Sequence, residues 1–172
     1  TLSLHDALPI WAMNVNGGRL RITGTFNPGA NLGSTGIGNA ATTKGALYVP
    51  TGGSYSSATI AIGGNATGVG SLVVTGGGSV TATTTNTQAG FTFGNGGYGG
   101  VFLSGAASSI TTPRFETNVS VAATAVGITQ ITGGTLTTTG DFILLRNGRF
   151  DFTMTGGLVN RISPGNAIAI GS

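Results

Sequence analysis

Apolar residues along this chain recur at a period of two, in short runs that close on Thr, Ser or Asn and are followed by glycine. Period two is the signature of a strand with one covered face. The run, its polar anchor, a glycine turn and a second alternating run recur six times, with anchors at Asn16, Thr51, Thr75, Ser104, Thr132 and Thr155. Immediately before the anchors stand Val15, Pro50, Val74, Leu103, Ile131 and Met154, and three residues before them Met13, Tyr48, Leu72, Val101, Thr129 and Phe152. Pro50 breaks the first of these columns, and Leu47 and Val49 point to a one-residue shift there. After the turn a further column reads Leu20, Tyr55, Val80, Leu136 and Val159, with Ala107 or Ile110 in the less regular fourth unit. A third short run per unit is seen in Ala58–Gly63, Gly90–Gly94, Val119–Ala122 and Asp141–Leu145. Phe26–Gly36 reads as an extended loop.

No helix is expected. β-Branched Thr, Val and Ile dominate, glycine interrupts every few residues, and no 3.6-residue apolar stripe survives. Three strands of four to six residues cannot bury their apolar side alone, whereas coils stacked on one another make a continuous core. The expectation is therefore all-β: a single-stranded, right-handed parallel β-helix, or β-solenoid, of about six coils of roughly 24–29 residues with three short strands per coil, about 29 Å long at the usual strand spacing. Apolar side chains point into the tube, Thr and Ser point out, and Gly and Asn take the corners. A β-sandwich of antiparallel hairpins would show similar alternation, but it does not predict columns recurring at coil spacing.

Composition narrows the class. Charged residues are 6% of the 172, and Gly and Pro number 33 and 5; the surface is left to Thr, Ser, Asn and Gly, as suits an exported protein better than a cytosolic enzyme. The absence of cysteine excludes a disulfide framework, thiol catalysis and Cys-ligated metal. No apolar run approaches the roughly 18 residues of a membrane-spanning helix. The net charge of +3 reflects missing acids more than abundant bases, and the cations are scattered, so nucleic-acid binding is not expected.

The segment Thr1–Ile10 resembles, residue for residue, the translation of a short-read sequencing adapter. It is expected to be an artefact outside the fold, leaving 11–172 as one β-solenoid domain, a fragment open at both ends. His5 is the only histidine; beyond the segment the acids are Glu116, Asp141 and Asp151 alone.

Ile62-Gly-Gly-Asn-Ala-Thr-Gly-Val-Gly-Ser-Leu-Val-Val-Thr-Gly-Gly-Gly-Ser-Val80 and Gln130-Ile-Thr-Gly-Gly-Thr-Leu-Thr-Thr-Thr-Gly140 resemble the β-strand repeats of autotransporter passengers and of PEP-CTERM-associated bacterial surface proteins. The resemblance spans roughly residues 12 to 165. It implies an extracellular, right-handed β-helix used as stalk, spacer or adhesive surface at the bacterial cell surface, with no catalytic residue, cofactor or metal to carry over. Neither a translocating barrel nor a sorting tail is present in the sequence.

Four features carry candidate chemistry. Gly94-Asn-Gly96-Gly-Tyr-Gly99 satisfies the dinucleotide-loop pattern, but that loop needs a helix after it and Val101–Leu103 reads as a strand, so it is assigned to a turn. Asp141 and Asp151, with Arg146, Arg149 and Arg161 nearby in sequence, are the minimum for a glycan-acting β-helix enzyme; Asp151, between Phe150 and Phe152, is expected on the outer face. Glu116, beside Arg114, reads as one more surface charge. Ser54, Ser56, Ser79, Thr81, Thr83, Thr135, Thr137 and Thr139 would stack as a ladder of outward hydroxyls, a surface suited to ordering water or contacting a crystalline polysaccharide, interrupted at its ends by Arg19, Arg21, Asn160 and Arg161. Calcium-binding nonapeptide repeats are excluded, since they need an acid in every repeat. The sequons Asn65-Ala-Thr67 and Asn118-Val-Ser120 arise by chance in a chain this rich in Asn and Thr. The expected function is structural or adhesive, the partners extracellular polysaccharide or a neighbouring cell surface, with end-to-end self-association through open strand edges.

Overall fold

The computed structural model describes residues 12–27, 33–84, 90–94, 96–117, 124–144, 148–162 and 168–170. Every element among them is a strand. β1 (Ala12–Val15), β2 (Gly17–Arg21) and β3 (Thr25–Phe26) make a short first coil; β4 (Ser34–Ile37), β5 (Lys44–Val49) and β6 (Ser54–Ser57) make the second. The third consists of β7 (Thr59–Ile62), β8 (Val69–Val74) and β9 (Ser79–Ala82), the fourth of β10 (Phe91–Phe93), β11 (Tyr98–Leu103) and β12 (Ser109–Thr112). In the fifth, β13 (Phe115–Thr117) precedes the long β14 (Val126–Thr138); in the sixth, β15 (Phe142–Leu144) precedes the long β16 (Arg149–Arg161), and β17 (Ile168–Ile170) opens another.

Each strand pairs in parallel with its equivalent one coil away, giving a β-solenoid with three faces, about five turns when the short first coil and the last, incomplete one are not counted as full. Face one is a seven-stranded sheet, β1-β4-β7-β10-β13-β15-β17. Face two stacks β2, β5, β8, β11 and the first halves of β14 and β16; face three stacks β3, β6, β9, β12 and their second halves. In the second, third and fourth coils the two faces meet at a true corner, Pro50–Gly53, Thr75–Gly78 and Ser104–Ser108. In the last two, a bulge around Thr132 bends one continuous strand instead, which joins faces two and three into a single sheet path.

The predicted columns form the core up to the fifth coil; on the terminal β16 their members Phe152 and Val159 are half-buried and Met154 is exposed. Leu47, Leu72, Val101, Thr129 and Phe152 lie in one register, Val49, Val74, Leu103, Ile131 and Met154 in the next, and Tyr55, Val80, Ile110, Leu136 and Val159 on face three. Val49, not Pro50, fills the second coil's place, as the shift required. On face one Ile60, Phe91, Phe115 and Phe142 stack, the Phe115 and Phe142 rings 5.6 Å apart and within 10° of parallel. Burying each such side chain contributes about 1.5–3 kcal/mol.

The first unit departs from the expectation. Met13 and Val15 belong to face one, and Leu20 pairs with Leu47 rather than Tyr55, whose neighbour is Phe26. Gly17-Gly18 imitates the glycine turn found at Gly76-Gly77, so an anchor at Asn16 falls one corner too early. Asn16 sits at the corner between faces one and two, where its Oδ1 accepts the Asn39 N–H at 3.1 Å. Ser34–Gly36, assigned to a loop, are strand β4. The fifth coil's face-one strand is Phe115–Thr117; Val119–Ala122 lie outside the described residues.

Gly38, Gly63 and Gly94 turn the chain from face one to face two at φ +57, +64 and +65. A Cβ on Gly63 would meet the Tyr98 carbonyl oxygen of the next coil at 2.1 Å. Both the left-handed backbone and the 4.8 Å stacking therefore demand glycine there.

One polar group is enclosed in the N-terminal half. The Tyr55 hydroxyl lies 2.5 Å from Thr35 Oγ1, Thr35 donates to Ser57 Oγ at 2.9 Å, and Ser57 donates to the Thr59 carbonyl at 2.9 Å. Burial pushes the phenol up to about 12, with the Thr35 and Ser57 hydrogen bonds acting in the opposite sense.

Candidate functional surfaces

Face three carries the hydroxyl ladder in two outward columns. Thr25, Ser54, Ser79, Ser109 and Thr135 form one; Ser56, Thr81, Thr111 and Thr137 form the other. Alternation explains both, since Tyr55, Val80, Ile110 and Leu136 between them point inward. The fourth unit, irregular in sequence, is regular here: Ser109 and Thr111 complete the columns. Neighbouring hydroxyls stand about 4.8 Å apart along the axis and roughly 6.7 Å along each strand, close enough for Ser79 Oγ to donate to Ser54 Oγ at 3.1 Å.

Thr83 and Thr139 fall past the strand ends, exposed at the corner. Leu158 and Asn160 end the columns on β16. Arg19 and Arg21 do not interrupt the ladder at all; they lie on face two with their guanidinium groups 5.6 and 5.8 Å from the Tyr48 ring centre. Two of the anchors are joined across coils, Ser104 Oγ donating to Thr75 Oγ1 at 2.9 Å.

The carboxylates are distributed differently from the sequence reading. Glu116 is not on the open surface: its side chain is fully buried, with Arg114 Nε 2.9 Å from its Oε2. Asp141 Oδ2 lies 3.9 Å from the same Nε, because Arg114 and Asp141 occupy equivalent positions one coil apart. Asp151 is elsewhere, exposed on face two, accepting from Thr153 Oγ1 at 3.3 Å. The structure thus brings Asp141 to Glu116 and Arg114 rather than to Asp151. Arg161, on face three, directs Nε toward the Gly140 carbonyl at 3.4 Å, apart from Arg149 on face two; Arg146 lies outside the described residues. Two acids 25 positions apart in sequence are neighbours only because one coil has about that length, a signal the coil spacing already contained.

The Gly94–Gly99 pattern opens strand β11, not a helix, and Asn95 is outside the described residues. Among the sequons, Asn65 is exposed at a turn, and Asn118 is outside the described residues.

Sequence reasoning passed over the outward side of face two. Since Val101 and Leu103 point inward, Tyr98, Gly100 and Phe102 point outward, and alternation alone could have found them. The face carries Tyr48, Val69, Val73, Tyr98, Phe102, Val126 and Ile128 across its middle coils. Val69, Tyr98 and Ile128 are 39%, 50% and 42% exposed. Protein-family models, curated proteins and solved structures contain no match to this chain.

Proposed function

We propose that this β-solenoid is a structural and adhesive segment, a passenger, stalk or spacer, of a bacterial secreted or cell-surface protein, without catalysis. The observation that carries the reading is the layout of outward chemistry in unbroken columns over a continuous core: a rod whose faces repeat every coil contacts an extended partner many times weakly rather than one small substrate tightly. The nearly charge-free hydroxyl surface and the resemblance to passenger repeats support export. Long-read sequencing across both ends of the coding frame tests it. A signal peptide upstream and a barrel or sorting tail downstream are expected; continuation into coils bearing clustered acids and histidine would overturn it.

A second reading is favoured by one specific feature, the completion of both hydroxyl columns by Ser109 and Thr111. Face three then acts as a regular array binding ice or a crystalline polysaccharide. Thermal hysteresis in the parent chain, lost when Thr81 and Thr137 are replaced by Tyr, is its expected outcome, and a parent without hysteresis or adsorption to crystalline polysaccharide ends it.

A further inference from the structure

We propose that the outward side of face two is a binding strip for a linear acidic polysaccharide, its pyranose rings seated on Tyr98 and Phe102 and its carboxylates held by Lys44 and Arg149. The inference rests on the polysaccharide-contact reading above and gives it a location, separate from the hydroxyl ladder. Five equivalent outward positions follow one another along the axis as Lys44, Val69, Tyr98, Val126 and Arg149. An apolar middle is thus bracketed by the exposed Lys44 and Arg149, four strand spacings or about 19 Å apart, with the exposed Arg19 and Arg21 of β2 beyond Lys44 at the same end. Beside it runs Ala46, Ser71, Gly100, Ile128 and Asp151.

Gly100 makes the seat. Without a side chain there, the Phe102 ring leans across the backbone; a Cβ on Gly100 would meet Phe102 Cε2 at 2.8 Å. A shallow slot of about 190 Å³ remains, lined by Val69, Tyr98, Phe102, Val126 and Ile128 above the Ser71 and Gly100 backbone. That is below the roughly 300 Å³ at which enclosed small-molecule pockets begin, and it suits one ring lying flat in an open groove. A pyranose presents an apolar C–H face to the negative face of an aromatic ring, while its hydroxyls reach the rim, where Gln130 stands exposed.

A second protein copy is the competing occupant, and size argues against it. The apolar middle covers three strand spacings by four residues, roughly 14 Å by 13 Å or about 200 Å², against about 800 Å² per partner in a stable interface. The cations at both ends select an anionic chain; Asp151, beside Arg149, weakens the attraction at that end.

Affinity electrophoresis of the full chain in gels containing polygalacturonate, with neutral dextran as control, tests the proposal. Retardation is expected in polygalacturonate only, falling as salt rises. Tyr98→Ala with Phe102→Ala, and separately Lys44→Gln with Arg149→Gln, should each weaken it about tenfold, near 1.4 kcal/mol, while Asp151→Asn strengthens it. Val126→Asp, which leaves both aromatic rings in place, should also weaken it and guards against misfolding of the aromatic double variant. The proposal is overturned if polygalacturonate causes no retardation, if dextran retards equally, or if the aromatic and Val126 variants bind as the parent does. Self-association that the aromatic variants abolish would assign the strip to a second copy instead. A failed strip leaves the surface-segment reading standing, because sequencing of the frame tests that independently.

Discussion

Faces two and three of this rod are built by the same alternation and stack at the same spacing, yet their outsides are chemically opposite. Face three shows Ser79 and Thr81 where face two shows Val69, Ser71 and Val73 in the same coil; one coil on, Ser109 and Thr111 correspond to Tyr98, Gly100 and Phe102. Their inward residues are alike: Leu72 and Val74, Val80, Val101 and Leu103, Ile110, all nearly fully buried. The fold is therefore carried by the inward set. The outward set is free to differ by face, and that freedom makes an exposed Tyr98 or an outward, half-buried Phe102 informative, whereas a buried Leu72 reports packing alone.

The comparison breaks most severely if the shared core is cut. Phe115→Ala removes a ring that stacks between Phe91 and Phe142 and should cost about 3–5 kcal/mol in chemical denaturation. Both faces should fail together, ladder and strip alike; survival of either at parental stability would show that the inward set is not common to them.

A smaller effect comes from Tyr55, the inward residue of face three in the second coil. Its pKa in the folded chain, about 12, exceeds the ordinary value of 10.0, so the folded state keeps the proton longer than the unfolded one. The associated stability is whole below pH 10 and is lost as pH rises from about 10 to 12, by about 2–3 kcal/mol over that interval. Tyr55→Phe should remove that part of the alkaline decline measured by denaturation at successive pH values.

Thr129 sharpens the contrast in the opposite direction. It occupies the inward column between Val101 and Phe152 on face two, and among the described residues its buried Oγ1 has no hydrogen-bond partner. Thr129→Val keeps the shape and removes the desolvated hydroxyl, and should stabilise by about 1 kcal/mol. The smallest change is expected at Thr81→Val, outward on face three, within about 0.5 kcal/mol. A Thr81→Val effect as large as that of Thr129→Val would erase the distinction between inward and outward positions.

Much of this was legible in the residues themselves. From the third coil on, the columns through Leu72, Val74 and Val80 were read in their true registers, because period-two alternation and coil spacing both report the covered side. The first coil was misplaced because Gly17-Gly18-Arg-Leu20 repeats the wording of a Gly-Gly corner at the wrong corner, and a single coil has no earlier neighbour to correct it. The fourth unit looked irregular because its corner, Ser104–Ser108, is longer than the others, although Ser109 and Thr111 fall into line once stacked.

What the sequence by itself determined is the class of fold and the side on which most residues lie, since short alternating strands whose apolar columns recur at coil spacing bury them by stacking parallel coils, whereas a sandwich does not predict that recurrence. Which residues meet across coils was decided only by the tertiary structure. Glu116 next to Arg114 in the chain looked like surface charge; stacking buries it and brings Asp141 to the same guanidinium. Lys44, Val69, Tyr98, Val126 and Arg149 are far apart in sequence and become one line only when corners of unequal length have set the register. The physical reason is that alternation is local, fixed within each strand by backbone geometry, whereas register is a sum over corner lengths that no single strand contains.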